Sequence, residues 1–302
     1  MLPTWYNQYK KLIDKSIKNY LDIYFNNLEI DNNLNKFKEA IYYSVKWWKR
    51  IRSILAIEFY LIISNKKIEN IKFWDNIILY CIAIELLHAY SLVHDDLPAI
   101  DNDTIRRWEE TTWKKYWETN AILVWDLLNT LTFEILGEIW NVSLLKEFSK
   151  ATWFNWMIWW QVLDIYYENN NSKLNIDKLI NVHNKKTWKL IEVSIVWWLI
   201  LWNLSLDKKN KIKKSNIIKY IGFWKKIWLA FQVKDDLLDV EWSLNETWKS
   251  VWWENKWFVH FIWIKESREY LNNLIDESLN IISKLKSEKL NFLVSYIWTR
   301  KK

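Results

Sequence analysis

An all-α, single-domain protein is the fold class this sequence predicts, and three observations predict it. Apolar residues recur at three- and four-residue spacing almost throughout, as in LNNLIDESLNIISKL from Leu271 to Leu285, which is the period of a helix buried along one side. Proline occurs only at Pro3 and Pro98, so little interrupts such helices. The connections at Asn26–Asn35, Glu168–Lys173 and Asp207–Lys214 are short Asn- and Lys-rich stretches. None is long or biased enough to separate domains, and no repeat of solenoid period is present. A length of 302 residues suits one large helical domain spanning 1–302.

Taken in order, the first twenty residues carry Lys10, Lys11, Asp14, Lys15 and Lys18 without an apolar core, which argues against a signal peptide. The most apolar runs are Ile77 to Val93 and Leu190 to Leu204, interrupted by Glu85 and Glu192 respectively. Crossing a bilayer needs roughly 20 apolar residues, so both read as buried helices and no membrane span is expected. Cys81 is the sole cysteine, which excludes an intrachain disulfide and fits a reducing, cytoplasmic compartment. Lys and Arg number 43 against 36 Asp and Glu, a net charge of +7 that favours anionic ligands.

Composition raises one anomaly. Ordinary usage would supply roughly 21 glycines, whereas the chain has Gly 2 and Trp 26. The tryptophan count is about what the missing glycine plus a few genuine tryptophans would give. The expectation from composition is that one residue stands in for the other.

Two acidic clusters carry the chemistry. The run ending at Val93 delivers HDDLPAID, placing Asp95, Asp96 and Asp101 at the end of a buried helix. Carboxylates there face the negative end of the helix dipole and need cations to be tolerated. FQVKDDLLDV follows a second apolar helix, with Asp235 and Asp239 four residues apart on one face and Asp236 beside them. Either cluster alone reads as a solvated helix end. Two of the same shape favour oxygen ligands for Mg²⁺, which binds through a few carboxylates and completes its shell with water and phosphate oxygens. Lys49, Arg50 and Arg52 in KRIR, and Arg106 and Arg107, lie near expected helix ends and can grip phosphate. Together these groups describe a pocket for two diphosphates, one held through metal and one by cations. His94, His183 and His260 are too scattered for metal-ligand spacing.

These residues resemble the trans-isoprenyl diphosphate synthase family, closest to its bacterial farnesyl type. The likeness runs in order from Glu39 to Trp263, about three quarters of the chain. HAYSLVHDDLPAIDNDTIRR is similar to the family's first aspartate-rich motif and FQVKDDLLD to its second. The other landmarks occur with Trp where the family carries Gly: WWKRIR, WWQVLD, KTWKLI and TWKS. Trp47, Trp48, Trp108, Trp117, Trp125, Trp160, Trp188 and Trp248 fall at family Gly positions, whereas Trp113 falls where the family often has His. The expectation is a UGA codon that the cell reads as glycine and that has been written as tryptophan. Two further departures are Ser53, where the family usually has Pro, and Lys256, whose spacing from Lys249 does not match a family lysine.

The resemblance implies an antiparallel bundle around a central cavity, a homodimer, and no nucleic-acid partner. It implies Mg²⁺ held by Asp95, Asp96, Asp101, Asp235, Asp236 and Asp239, bridging the diphosphate of an allylic substrate. Diphosphate leaves, isopentenyl diphosphate attacks the allylic cation, and a proton departs to the released diphosphate. Lys49, Arg52, His88 and Arg107 match positions for isopentenyl diphosphate; Arg106, Lys186 and Lys249 match those for the allylic diphosphate. Thr187 and Gln232 match the polar groups lining the cation and, with Lys186, are the catalytic candidates; Tyr90 and Ser91, just before Asp95, match positions that limit chain length. Residues alone would make His88 a satisfied core histidine. Geranylgeranyl or longer-chain synthesis is the alternative product. A class I terpene cyclase shares the metal site but has no need of Lys49, Arg52 and Arg107, and a noncatalytic prenyl synthase subunit usually lacks one aspartate motif.

Overall fold

The computed structural model describes residues 2–27, 34–46, 49–106, 108–152, 162–163, 166, 214–246 and 263–299. The chain divides into two compact units, Met1–Leu145 and Lys146–Lys302. Among the described residues both are helical, apart from one small hairpin in the first.

The first unit contains α1 (Thr4–Asn26), α2 (Asn35–Ser44), α3 (Ile51–Ser64), α4 (Asn76–Asp95), strands β1 (Ile105–Arg106) and β2 (Glu109–Glu110), α5 (Thr112–Tyr116) and α6 (Glu118–Glu138). Its centre is α4, apolar all round and buried at Ile77 through Tyr90 without interruption. A helix without a polar face is stable only when covered on every side. Here α3, α6 and α1 pack around it. By length and composition alone α4 could cross a membrane, but its burial, with Glu85 and His88 inside it, is that of a core helix. Each buried Leu or Ile contributes about 1.5–3 kcal/mol, and truncating one, as in Ile82→Ala, would cost about 2–5 kcal/mol.

Helix α1 is amphipathic, burying Tyr6, Tyr9, Ile13, Ile17, Tyr20, Leu21 and Phe25 at three- and four-residue spacing. Its buried tyrosines pin it to its neighbours. Tyr9 donates to Glu58 on α3 at 2.9 Å and Tyr20 to Glu138 on α6 at 2.7 Å. Burial pushes both hydroxyls well above the usual phenol range, so they remain donors. Helix α3 begins at Ile51, so Ser53 does not disturb the helix start that a proline would have favoured.

The hairpin pairs Ile105 with Glu110 and Arg106 with Glu109. Arg106 is therefore on a strand, not near a helix end. A turn this tight needs positive φ in its loop, which glycine supplies; Trp108 has φ 70°. Helix α7 (Val142–Thr152) follows.

In the second unit α8 (Lys214–Glu246) packs with α9 (Ile264–Ile282) and α10 (Glu288–Thr299). The periodic stretch from Leu271 forms most of α9, burying Leu271, Leu274, Ile275, Ser278 and Ile282. Lys226 on α8 pairs with Glu277 on α9. The second acidic cluster lies inside α8, not after a helix as the sequence suggested. Nothing between Phe231 and Glu246 can stop a helix: the stretch has neither Gly nor Pro.

Candidate functional site

Helix α4 ends where its sequence turns acidic. Asp95 is its last residue and Asp96 its C-cap. The chain then folds back through turns closed by Leu97 N–H to the His94 carbonyl at 3.2 Å and Ile100 N–H to the Leu97 carbonyl at 2.9 Å. This brings the Asp101 N–H onto the Asp95 carbonyl at 3.0 Å. The two residues Pro98 and Ala99 lie within that loop, which returns the backbone of the motif's outer aspartate, Asp101, to the helix end. Asp95 also lies 3.4 Å from His94 Nδ1.

Asp96 is spent differently. It is 4% exposed and takes the Arg106 guanidinium, with Nε at 2.6 Å and Nη2 at 2.5 Å; Nη2 also reaches Asp103 at 3.1 Å. Burial pushes the Asp96 carboxyl up to about 6, against the pull of Arg106. Asp96 therefore orients a cation, whereas Asp95 and Asp101 keep the helix end acidic. Asp96→Asn is expected to cost about 2 kcal/mol, because it breaks a largely buried ion pair; urea denaturation reads the loss.

The pair forms one wall of a recess of about 460 Å³ bounded by Tyr43 and Ser44 at the end of α2, Lys46 just after it, Ala89, Leu92 and Val93 on α4, and Arg106, Trp108 and Glu109 to Thr112. Ser44 Oγ and Thr112 Oγ1 are 3.0 Å apart at its edge. Thr111 Oγ1 and Trp113 Nε1 both donate to the Asp103 carbonyl, at 2.8 and 2.7 Å, closing the hairpin base. Helical geometry sets Ala89, Val93 and Asp96 on one face of α4 and Ser91 and Asp95 on an adjacent one, with His88 between. Residue patterns did not point to Tyr43, Ser44, Lys46 or Thr112, because they come from separate elements that meet only in the fold.

Tyr90 is buried at 6% exposure and its ring stacks on Trp125 of α6, centroids 5.8 Å apart. Trp125 also meets the His94 ring at 4.9 Å. Ser91, half-buried, donates to the His88 carbonyl at 2.8 Å, and His88 itself is buried. Lys49 is exposed and Arg52 half-buried at the start of α3. In the second unit Gln232, Asp235 and Asp236 are half-buried on α8, with Gln232 one turn before Asp235; Asp239 lies on the same helix, its side chain outside the described residues. Arg107, Lys186, Thr187 and Lys249 lie outside the described residues, as do Lys256 and the tryptophans at 47, 48, 160, 188 and 248.

The donor set suits magnesium. Among the described residues no group of three or more His, Cys, Asp or Glu closes into a cage. What the end of α4 offers is two aspartates joined backbone to backbone, Asp101 N–H on the Asp95 carbonyl; a few carboxylates are the partial coordination that Mg²⁺ takes when water and phosphate oxygens supply the rest.

Comparison with known proteins decides the family. The polyprenyl synthetase family model matches residues 35–252. The chain belongs to the polyprenyl synthetase family. A farnesyl diphosphate synthase of Micrococcus luteus is 34% identical over 298 residues, covering 92% of this chain and 96% of that one. That of Escherichia coli K12 is 39% identical over 166 residues, about half of each chain. Among solved structures, geranyltransferase of Helicobacter pylori matches with TM-score 0.75 and 28% identity over 98% of both chains. The same enzyme complexed with magnesium and isoprenyl diphosphate matches at TM-score 0.75 over 99% of this chain and 100% of that one. This polyprenyl synthetase family member is a prenyltransferase of the farnesyl diphosphate synthase-like kind.

Proposed function

We propose that this prenyltransferase condenses isopentenyl diphosphate with dimethylallyl and geranyl diphosphates to give farnesyl diphosphate. The observation that supports the reading is the fold-back of Asp101 onto Asp95 beside an oriented Arg106. Asp95 and Asp101, with Asp235, would hold Mg²⁺, which when bound draws negative charge off the departing diphosphate. Asp96 serves as the anchor of Arg106, which presents its charge to the allylic diphosphate with Lys186 and Lys249. Lys49, Arg52, His88 and Arg107 take isopentenyl diphosphate by direct ion pairs, a fixed grip that leaves its alkene free to attack. Thr187 and Gln232 would offer oxygens to the developing cation, which is electrostatic preorganisation. The assay is product chromatography after incubation with isopentenyl diphosphate, geranyl diphosphate and Mg²⁺, using enzyme with the residues its native host incorporates. Farnesyl diphosphate is expected, and failure to condense the two substrates would overturn the reading.

Chain length is assigned to Tyr90. It lies five residues before Asp95, about one helical turn deeper, where the growing tail must point. Its ring is buried against position 125. With glycine at 125 the face now stacked on indole becomes open to the tail, and Tyr90 is the floor. Tyr90→Ala is expected to shift the main product from farnesyl to geranylgeranyl diphosphate. An unchanged product distribution would remove Tyr90 from this role.

A second reading concerns composition. The glycine positions of the family that carry Trp here are glycine in the working enzyme. Backbone conformation supports it independently of the resemblance: Trp108, Trp117, Trp140 and Trp263 all have positive φ, between 53° and 75°. Trp113, by contrast, sits in α5 and uses its indole N–H. It behaves as a genuine tryptophan.

A further inference from the structure

Arg50 stands between Lys49 and Arg52, the two cations assigned above to isopentenyl diphosphate, and it is buried where they are not: 4% exposed, with Lys49 exposed and Arg52 half-buried. Its guanidinium joins three helices. Nε donates to Asp14 on α1 at 2.8 Å, Nη2 to the Val45 carbonyl at the end of α2 at 2.6 Å, and Nη1 to Glu85 on α4 at 3.1 Å. Glu85, 2% exposed, receives Ser53 Oγ on its other oxygen at 2.7 Å. The residue that departs from the family's proline thus completes the cluster. The Arg50 carbonyl accepts the Ile54 N–H at 2.9 Å, and one residue earlier the Tyr6 hydroxyl donates to the Lys49 carbonyl at 2.5 Å.

Stability does not account for this arrangement. A buried ion pair recovers little beyond its own desolvation, and Arg50 holds a left-handed backbone, φ 55°, that is unfavourable for a residue with a side chain. Such strain persists where the surroundings over-determine a conformation, and it concentrates at ligand sites. What the cluster does fix is the path of the chain from Lys49 to Arg52. It ties that path to Glu85, one turn before His88 on the same side of α4. We propose that Arg50 is a positioning residue: anchored on Asp14, Val45 and Glu85, and helped by Tyr6, it holds Lys49 and Arg52 in register with His88 for isopentenyl diphosphate without touching that substrate. The proposal rests on the assignment of Lys49 and Arg52 to that diphosphate.

The test is Arg50→Met combined with Glu85→Gln, which removes both charges together, so that neither is left buried alone; Asp14 keeps Lys10 at 2.5 Å. With the double variant, KM for isopentenyl diphosphate should rise at least about tenfold while KM for geranyl diphosphate stays within about twofold. Tyr6→Phe, which removes one hydroxyl and no charge, should raise the same constant by about threefold. A folded double variant with unchanged KM for isopentenyl diphosphate, or with equal rises for both substrates, overturns the proposal. Should the double variant fail to unfold cooperatively, Tyr6→Phe decides on the same criterion. Lys49→Ala separates the two layers. If it raises KM for isopentenyl diphosphate and the Arg50 and Tyr6 variants do not, only the positioning role fails; if it too leaves KM unchanged, the substrate assignment fails and takes the positioning role with it.

Discussion

Asp95→Ala is expected to lower kcat for condensation of isopentenyl and geranyl diphosphates by about three orders of magnitude, with KM for geranyl diphosphate changing far less. The asymmetry follows from where the carboxylate sits. Asp95 closes α4, whose dipole already makes its C-terminus negative, and the Asp101 N–H is returned onto its carbonyl. Two carboxylates at a negative helix end are poorly tolerated without a cation. A cation held there acts most strongly when charge builds on the leaving diphosphate, so its loss falls on the transition state more than on substrate binding. Asp235→Ala should behave similarly, whereas Asp96→Asn should retain more activity, because Asp96 serves Arg106. Excess chelator should reproduce the Asp95→Ala result in unmodified enzyme. Steady-state rates within tenfold of the unmodified enzyme for Asp95→Ala, or full activity in chelator, would remove Asp95 from the role.

The helices were legible because burial writes itself into sequence. The apolar run at Ile77–Val93, interrupted at Glu85, reads as a covered helix, and the three- and four-residue spacing around Leu271 reads as a one-sided one. Asp95, Asp101 and their loop were legible for a related reason: acids directly after an apolar run are conspicuous. The function of Asp96 was not, since adjacent aspartates look alike in sequence and only the return of the hairpin gives one of them to Arg106. Arg106 was expected near a helix end and lies on a strand, because a two-residue hairpin is too short to show alternation. The second acidic cluster was expected after its helix and lies within it, since aspartate lowers helix propensity too weakly to end a helix held by packing. Arg50 read as one cation among several. Its partners Asp14, Val45 and Glu85 are distant in sequence, so nothing local distinguished it.

Replacing tryptophan by glycine at positions 47, 48, 108, 117, 125, 140, 160, 188, 248 and 263 should convert an unstable, inactive protein into a cooperatively folding, active one. The conformational argument is sharpest at Trp117. It ends α5 and starts α6 at φ 75° and ψ 151°, a region that essentially only glycine occupies, and its side chain is 79% exposed. Trp263 caps α9 at φ 54° and ψ 165°, and Trp140 follows α6 at φ 53°, where helices commonly end on a left-handed glycine. Trp108 occupies the hairpin turn at φ 70°. The indoles of Trp108 and Trp140 are 83% and 92% exposed, so burial offers little to offset such backbones. The two written glycines show the reverse: Gly137 and Gly222 lie in helices with open space where a Cβ would go, and neither has positive φ. Glycine is thus written where any residue would serve and is missing where the backbone requires it. Each left-handed tryptophan costs about 1–3 kcal/mol, and several together rival the whole stability of a domain, about 5–15 kcal/mol. At Trp48, Trp188 and Trp248 the expected consequence is chemical as well, because these neighbour Lys49, Thr187 and Lys249, residues that the proposed function assigns to the substrates and the cation, where an indole in place of glycine would block close approach. Peptide masses of the protein from its native host should show glycine at these ten positions and tryptophan at Trp113. Tryptophan masses at Trp117 and Trp263, or UGG codons there, would defeat the reading, as would prenyl transfer by the tryptophan-bearing chain at the rate of the glycine form.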